Sequence, residues 1–219
     1  MRTLPASSAL RLSNLSSDQS SWDARYASQE LVWSLEPNQF VLQHLSELPP
    51  SKMVDLAGGE GRNALWFAKR GWQTENVELS QVALDKFLLR AQHENLDGRC
   101  TTTHADATNA KFSLRADLLV VAYLQIPAPS LSRALSNAVD QLNPGATVFG
   151  VWHAKRNLVD GFGGPPSPEM LPTPKELEAW AKDHLESFEV FEVDRIVEKD
   201  GVHHTAIDVI LKGQLAKNE

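Results

Sequence analysis

The 219-residue chain has one cysteine, Cys100. A single cysteine forms no intrachain disulfide and builds no cysteine-cluster zinc site; such usage fits a reducing compartment, and the cytoplasm is the expected location. Basic blocks are missing as well. Lys and Arg number 21 against 28 Asp and Glu, for a net charge of −7. This balance argues against steered binding to nucleic acid or an anionic membrane. No apolar run approaches the ~18 residues a membrane-spanning helix needs. The opening MRTLPASSALRLSNLSSDQSS lacks the continuous apolar core of a signal peptide. Its serine content predicts a mobile arm, residues 1–21.

What is present reads as one domain, 22–214, with a short tail at 215–219. The apolar fraction of 42% and charged fraction of 22% are those of an ordinary globular protein. Short apolar runs alternate with amphipathic stretches. KMVDLA, WQTENVEL, CTTTHA, ADLLVVAYL and ATVFGVW read as strands. Between them lie the helical patterns RNALWFAKRG, QVALDKFLLRAQHENLDG, with Ser80 as N-cap, and SRALSNAVDQL. TPKELEAWAKDHL follows as a helix opened by a Thr173/Glu176 capping box. The tail FEVFEVDRIVEKDGVHHTAIDVILKG reads as a hairpin about KDG. The fold class is therefore α/β: a doubly wound, Rossmann-like sheet of seven strands, mostly parallel, with an antiparallel C-terminal hairpin. Ligands of such sheets bind at the carboxyl ends of the strands beside the first one.

VDLAGGEGRNALWFAKRG places three glycines in four positions at that point. One glycine can serve a tight turn; three bring backbone close to a packed element or a ligand. Glu78 ends the next strand, where a carboxylate can accept bonds from both hydroxyls of a ribose. Together these make a nucleoside signature. Gly59 to Ala64 also satisfies the dinucleotide pattern G-x-G-x-x-G/A, which keeps a nicotinamide-dependent reductase open. Asp55, at the end of the first strand, would repel a pyrophosphate but suits an ammonium group. Asp106, after the third strand, is placed to accept from an adenine amine. Adenine, ribose, an amino group and a positive centre describe S-adenosylmethionine.

On VDLAGGEGRN, VELS, HADA, ADLLVVAYLQIP, LNPGATVFGVWH, WDARY and HTAID, the chain resembles class I S-adenosylmethionine-dependent methyltransferases. It is most similar to the small tellurite-resistance-type (TehB-like) group, over roughly Trp22 to Leu211. The resemblance implies transfer of a methyl group to a small-molecule acceptor, with S-adenosyl-L-methionine as cofactor and no metal. It implies cofactor contacts from Asp55, Gly58, Gly59, Gly61, Asn63, Glu78, Leu79, Ser80, Asp106 and Ala107. The family usually has glycine where this chain has Ala57. A non-enzymatic S-adenosylmethionine binder is the other alternative.

Acceptors are expected beside the residues that follow the fourth strand. Tyr123 and Gln125 are placed to orient the sulfonium or the acceptor, and His153, ending the fifth strand, is the best-placed base. Tyr123 and His153 are thus the catalytic candidates. Trp22, Tyr26 and Trp33, in the arm before the first helix, would cover the cofactor. LVDGFGGPPSPEMLPTP reads as a second lid or pocket wall. His203 and His204 begin the last strand at the same sheet edge but point to opposite faces, so they do not jointly grip a metal. The expected assembly is a monomer or weak homodimer.

Overall fold

The computed structural model describes residues 19–32 and 34–217. Most of the expected mobile arm, and Trp33 of the expected cover, lie outside the described residues. The elements run α1 (Gln19–Ala27), α2 (Gln39–Leu45), β1 (Lys52–Leu56), α3 (Arg62–Lys69), β2 (Gln73–Glu78), α4 (Gln81–His93) and β3 (Cys100–His104). After these come β4 (Leu118–Ala122), α5 (Ala128–Val139), β5 (Thr147–His153), α6 (Asn157–Asp160), α7 (Pro174–His184), β6 (Ser187–Lys199) and β7 (Val202–Gln214).

The seven strands lie in the order β3-β2-β1-β4-β5-β7-β6. β1 through β5 pair in parallel, and β7 runs antiparallel to both β5 and β6. The chain winds outward from β1 to β3, returns to β4 and winds the other way, so the switch point falls between β1 and β4. Alternation along each strand divides the interior between the two faces of the sheet. Val54, Leu56, Leu119 and Val121 pack with α5 and α7. Met53, Leu118, Val120 and Phe149 pack with α2, α3 and α4. Ser80 caps α4, and Thr173 with Glu176 forms the capping box of α7.

Two sequence expectations are corrected. The segment before the first expected helix is not irregular: Trp22 and Tyr26 lie on α1, which starts at Gln19. The terminal histidines are also displaced. β5 ends opposite Asp208, whereas β6 and β7 stay paired out to Lys199 and Val202. His204 and His203 therefore stand four and five residues beyond the sheet edge, ~14–17 Å out at the rise of a strand. His204 stacks on Phe162 with ring centroids 3.9 Å apart.

Candidate functional site

The glycine loop leaves β1 in an unusual run of backbone. Ala57, Gly59 and Gly61 all have positive φ, at 56°, 57° and 71°. β2 imposes this shape. The amides of Ala57 and Gly58 both donate to the Val77 carbonyl, at 2.7 and 3.3 Å. Asn76 Nδ2 donates to the Gly59 carbonyl at 2.9 Å, and the Gly59 amide donates to Glu78 Oε2 at 3.0 Å. The loop then opens α3, with Gly61 at its N-cap and packed on Phe87, where a Cβ would strike the ring. Glycine is required at Gly61 by both conformation and space.

Above this loop lies a cleft of about 250 Å³. Its walls carry Gly58, Gly59, Arg62 and Asn63 from the loop and α3, Glu78 and Leu79 from β2, and Asp106 and Ala107 from β3. Tyr123, Gln125, Ser130 and Arg133 come from β4 and α5, and Trp22 and Tyr26 from α1. The second oxygen of Glu78 accepts from the Ser80 amide at 2.9 Å, and burial raises this carboxyl above the usual range. Asp106 Oδ1 accepts from the Thr108 amide and hydroxyl, both at 2.8 Å, which leaves Oδ2 without a hydrogen bond among the described residues. Arg62 donates to Ser34 Oγ at 3.1 Å, and no carboxylate pairs with it among the described residues. Burial lowers the pKa of that guanidinium, so an anionic group entering the cleft there relieves a desolvated charge.

α1 is held over the cleft by polar contacts. Asp23 Oδ1 accepts from Ser80 Oγ at 2.5 Å and from the Val82 amide at 3.4 Å. Lys86 Nζ donates to the carbonyls of Tyr26, Gln29 and Glu30. Trp22 and Tyr26 stack on each other, 5.9 Å between centroids.

On the other side of the cleft, four strands bring a polar cluster together. Tyr123 follows β4 at φ 61°, its amide bonded to the Val151 carbonyl. A bulky residue in this region carries strain of about 1–3 kcal/mol. Its hydroxyl donates to Asp208 Oδ2 at 2.9 Å, a charge-assisted bond that contributes about 1.5–3 kcal/mol and offsets the strain. Arg195 Nε also donates to Asp208 Oδ2, at 2.6 Å. His153 Nδ1 lies 3.1 Å from Asp208 Oδ1. Burial raises the Asp208 carboxyl, but His153 and Arg195 more than offset this and leave it below the usual range. Burial and the Asp208 charge raise the Tyr123 phenol. Tyr123 is therefore a protonated wall, unsuited to act as a base.

Of the expected site residues, Trp22, Tyr26, Gly58, Gly59, Asn63, Glu78, Leu79, Asp106, Ala107, Tyr123 and Gln125 gather on the cleft. Four expected residues stand off the cleft wall. Asp55 lies beneath the loop, wholly buried, where it accepts from Asn63 Nδ2 and the Ala64 amide. Gly61 faces Phe87 rather than the cleft. Ser80 is spent on capping α4 and on Asp23. His153 stands behind Tyr123, ring centroids 5.0 Å apart, with Gly164 against its imidazole. Gln125 lines the cleft, but its amide is taken by the Met170 carbonyl and the His153 amide. Arg62, Asp208 and Arg195 were not expected. Arg62 adjoins the glycines in the sequence, and Asp208 is the lone charge in the apolar run AIDVIL.

A cleft at the carboxyl edge of a doubly wound sheet, with a strand-end acid on one wall, is where a Rossmann-like fold binds its ligand. Residues 53–145 match the family model of a methyltransferase domain. Among solved structures, the chain is similar to TehB from Haemophilus influenzae, with a TM-score of 0.67 and 15% identity over 90% of this chain and 66% of that one. It is similar to the N-methyltransferase NodS from Bradyrhizobium japonicum WM9, solved in complex with S-adenosyl-L-homocysteine. There the TM-score is 0.65, with 12% identity over 90% and 97% of the two chains. A third similar structure comes from work on converting a disulfide bond into a thioacetal group during echinomycin biosynthesis. Its TM-score is 0.69, with 15% identity over 92% and 93%. No curated protein matches the chain. At such identities the structural likeness shows the fold; the matched domain shows the chemistry. The chain therefore carries a methyltransferase domain at residues 53–145, set in a Rossmann-like fold. Among the described residues, no helix is long and apolar enough to cross a membrane.

Proposed function

We propose that the chain methylates a small-molecule acceptor in the cytoplasm, as a relative of the tellurite-resistance-type group, with the cofactor lying along the β2, β1 and β4 edge. The observation that carries this reading is the match between the cleft walls and the cofactor's parts. Glu78 would hold the ribose hydroxyls, and Asp106 Oδ2 the adenine amine. Arg62, lacking an anionic partner among the described residues, would hold the methionine carboxylate. Trp22 and Tyr26 would cover the ligand and exclude water. When bound, S-adenosylmethionine supplies both the methyl group and its own leaving group.

The protein's part is then position and dryness. The cleft opens beside Tyr123, whereas His153 is not on its wall. Tyr123 and Gln125 have their polar ends engaged elsewhere. Among the described residues, no group on the acceptor side is free to remove a proton, which favours an acceptor that attacks as a thiolate or other soft anion.

Calorimetry with S-adenosylmethionine and S-adenosylhomocysteine tests the cleft. Both should bind, and Glu78→Ala should weaken both by roughly 1.5–3 kcal/mol. Unchanged affinity in a folded Glu78→Ala chain removes Glu78 from the site. A screen of thiols, oxyanions, amines and hydroxylated metabolites for S-adenosylhomocysteine formation identifies the acceptor; binding without turnover of any class favours a non-enzymatic binder.

A further inference from the structure

We propose that Asp208 is a positioning residue of the methyl-transfer site: through the Tyr123 hydroxyl it holds that ring as the wall at the methionine end of the cleft. The proposal rests on the reading of the cleft given above. Tyr123 and Asp208 are 85 residues apart in the chain, on the ends of β4 and within β7. The register of β7 on β5 sets Asp208 opposite His153, at the last pair of the sheet. Its side chain is wholly buried, on the face of β7 that also carries Ala206 and Ile210. A carboxylate at such a place needs partners that keep it ionised, and Arg195 supplies one at 2.6 Å.

Tyr123 is gripped at two points. Its oxygen is bonded to Asp208, and the Arg195 guanidinium lies 5.7 Å from its ring centroid. The clamp explains how an aromatic residue stays at φ 61° on the wall of a cleft. It also commits the phenol proton to Asp208, so Tyr123 meets a ligand with its ring and backbone. Arg62 and Tyr123 both line the cleft and are electrostatic neighbours, whereas Asp106 follows β3, which β2 and β1 separate from β4. The clamped ring thus faces the part of the ligand in which S-adenosylmethionine and S-adenosylhomocysteine differ. A purely structural Asp208 that only neutralises Arg195 would treat the two ligands alike.

The test reads both halves of the claim in the full chain. Tyr26 and Tyr123 are the two tyrosines, so ring-labelled tyrosine gives two carbon NMR signals, assigned with Tyr26→Phe. In Asp208→Asn the Tyr123 phenol should ionise at lower pH than in the wild type. Calorimetry should show S-adenosylmethionine losing about tenfold more affinity than S-adenosylhomocysteine, with partial recovery in Asp208→Glu. Tyr123→Phe keeps the Asp208–Arg195 pair and should show the same selective loss, which covers an Asp208→Asn chain that does not fold. An unmoved phenol titration overturns the clamp. Equal losses for the two ligands, or none in Tyr123→Phe, overturn the positioning role. A wild-type chain that binds neither ligand overturns the functional reading itself, whatever the phenol titration shows.

Discussion

Lys86 Nζ lies 3.0 Å from Glu60 Oε1, tying the glycine loop to the segment that covers it. Glu60 is 2% exposed, and its other oxygen accepts from the Val32 amide at 3.0 Å. The same ammonium bonds three carbonyls between Tyr26 and Glu30. Loop and cover therefore share one cation, and ordering either favours the other.

This coupling predicts the behaviour of Lys86→Met. The substitution keeps the aliphatic stem and removes the charge, so residues 26–32 lose an anchor while Glu60 stays buried. Amide hydrogen exchange should speed up over residues 19–32. In the wild type, adding S-adenosylhomocysteine should slow exchange there and at the glycine loop together. Protection that appears at the loop alone, with α1 unmoved, would make Trp22 and Tyr26 plain packing residues.

Ala57 gives a second prediction. Its φ of 56° is forced by the paired bonds to the Val77 carbonyl, and alanine tolerates that region poorly. Its methyl also lies on the cleft wall. Ala57→Gly should stabilise the fold by about 1 kcal/mol, or raise Tm by about 2–4 °C for a chain of this size, and leave more room for the cofactor. Thermal unfolding with and without S-adenosylmethionine checks both effects. A lower Tm would show that backbone freedom in the unfolded chain outweighs the relief of strain.

His153 gives a third. It stands behind Tyr123, its Nδ1 turned to Asp208 and its ring beneath Gly164. A positioned base contributes ~10²–10⁴-fold. His153→Ala should therefore change kcat by less than about tenfold for a thiolate or oxyanion acceptor, with the pH–rate profile keeping its shape. A hundredfold loss together with a vanished inflection would place the imidazole in contact with the acceptor.

How much of this was legible in the sequence follows from the range of the interactions. The strand and helix alternation, the Ser80 cap and the Thr173–Glu176 box are local, and they stand as expected. So does the glycine loop beside Glu78, because both sit at strand ends that a parallel sheet brings together. Helix α1 was missed because its stability is not local. Tyr26 is its one buried residue, and the contacts that hold it come from Ser80, Val82 and Lys86. The Tyr123–Asp208 bond depends on the register of β7, which no short pattern encodes. The direction of the Asp55 side chain follows from strand parity. Val54 and Leu56 point to one face, so Asp55 points with Met53 to the face covered by α3.

That burial makes Asp55 a source of pH-dependent stability. Loss of solvent raises its carboxyl to about 7, against the opposing pull of Asn63, the Ala64 amide and Arg62 and with a further push from Glu78. Beside it, Asn76 Oδ1 is buried with no hydrogen-bond partner among the described residues, and a Cβ on Gly58 would meet both side chains. An unfolded aspartate titrates near 3.9, so between about pH 4 and pH 7 the folded chain holds a proton that the unfolded chain has released. Stability from this group falls as pH rises through that window and is level above it. The span is about three pH units at about 1.36 kcal/mol each, an upper bound of roughly 4 kcal/mol. Asp55→Asn resembles the protonated form: it keeps an oxygen for the Ala64 amide and carries no charge. In urea unfolding without ligand, the variant should match the wild type near pH 4 and exceed it by roughly 2–4 kcal/mol at pH 8. Glu78, Asp117, Asp208 and Asp23 are common to both chains, so the difference between the two curves isolates Asp55. A variant less stable than the wild type at pH 8 would show that the fold holds Asp55 as an anion, with the glycine loop depending on that charge.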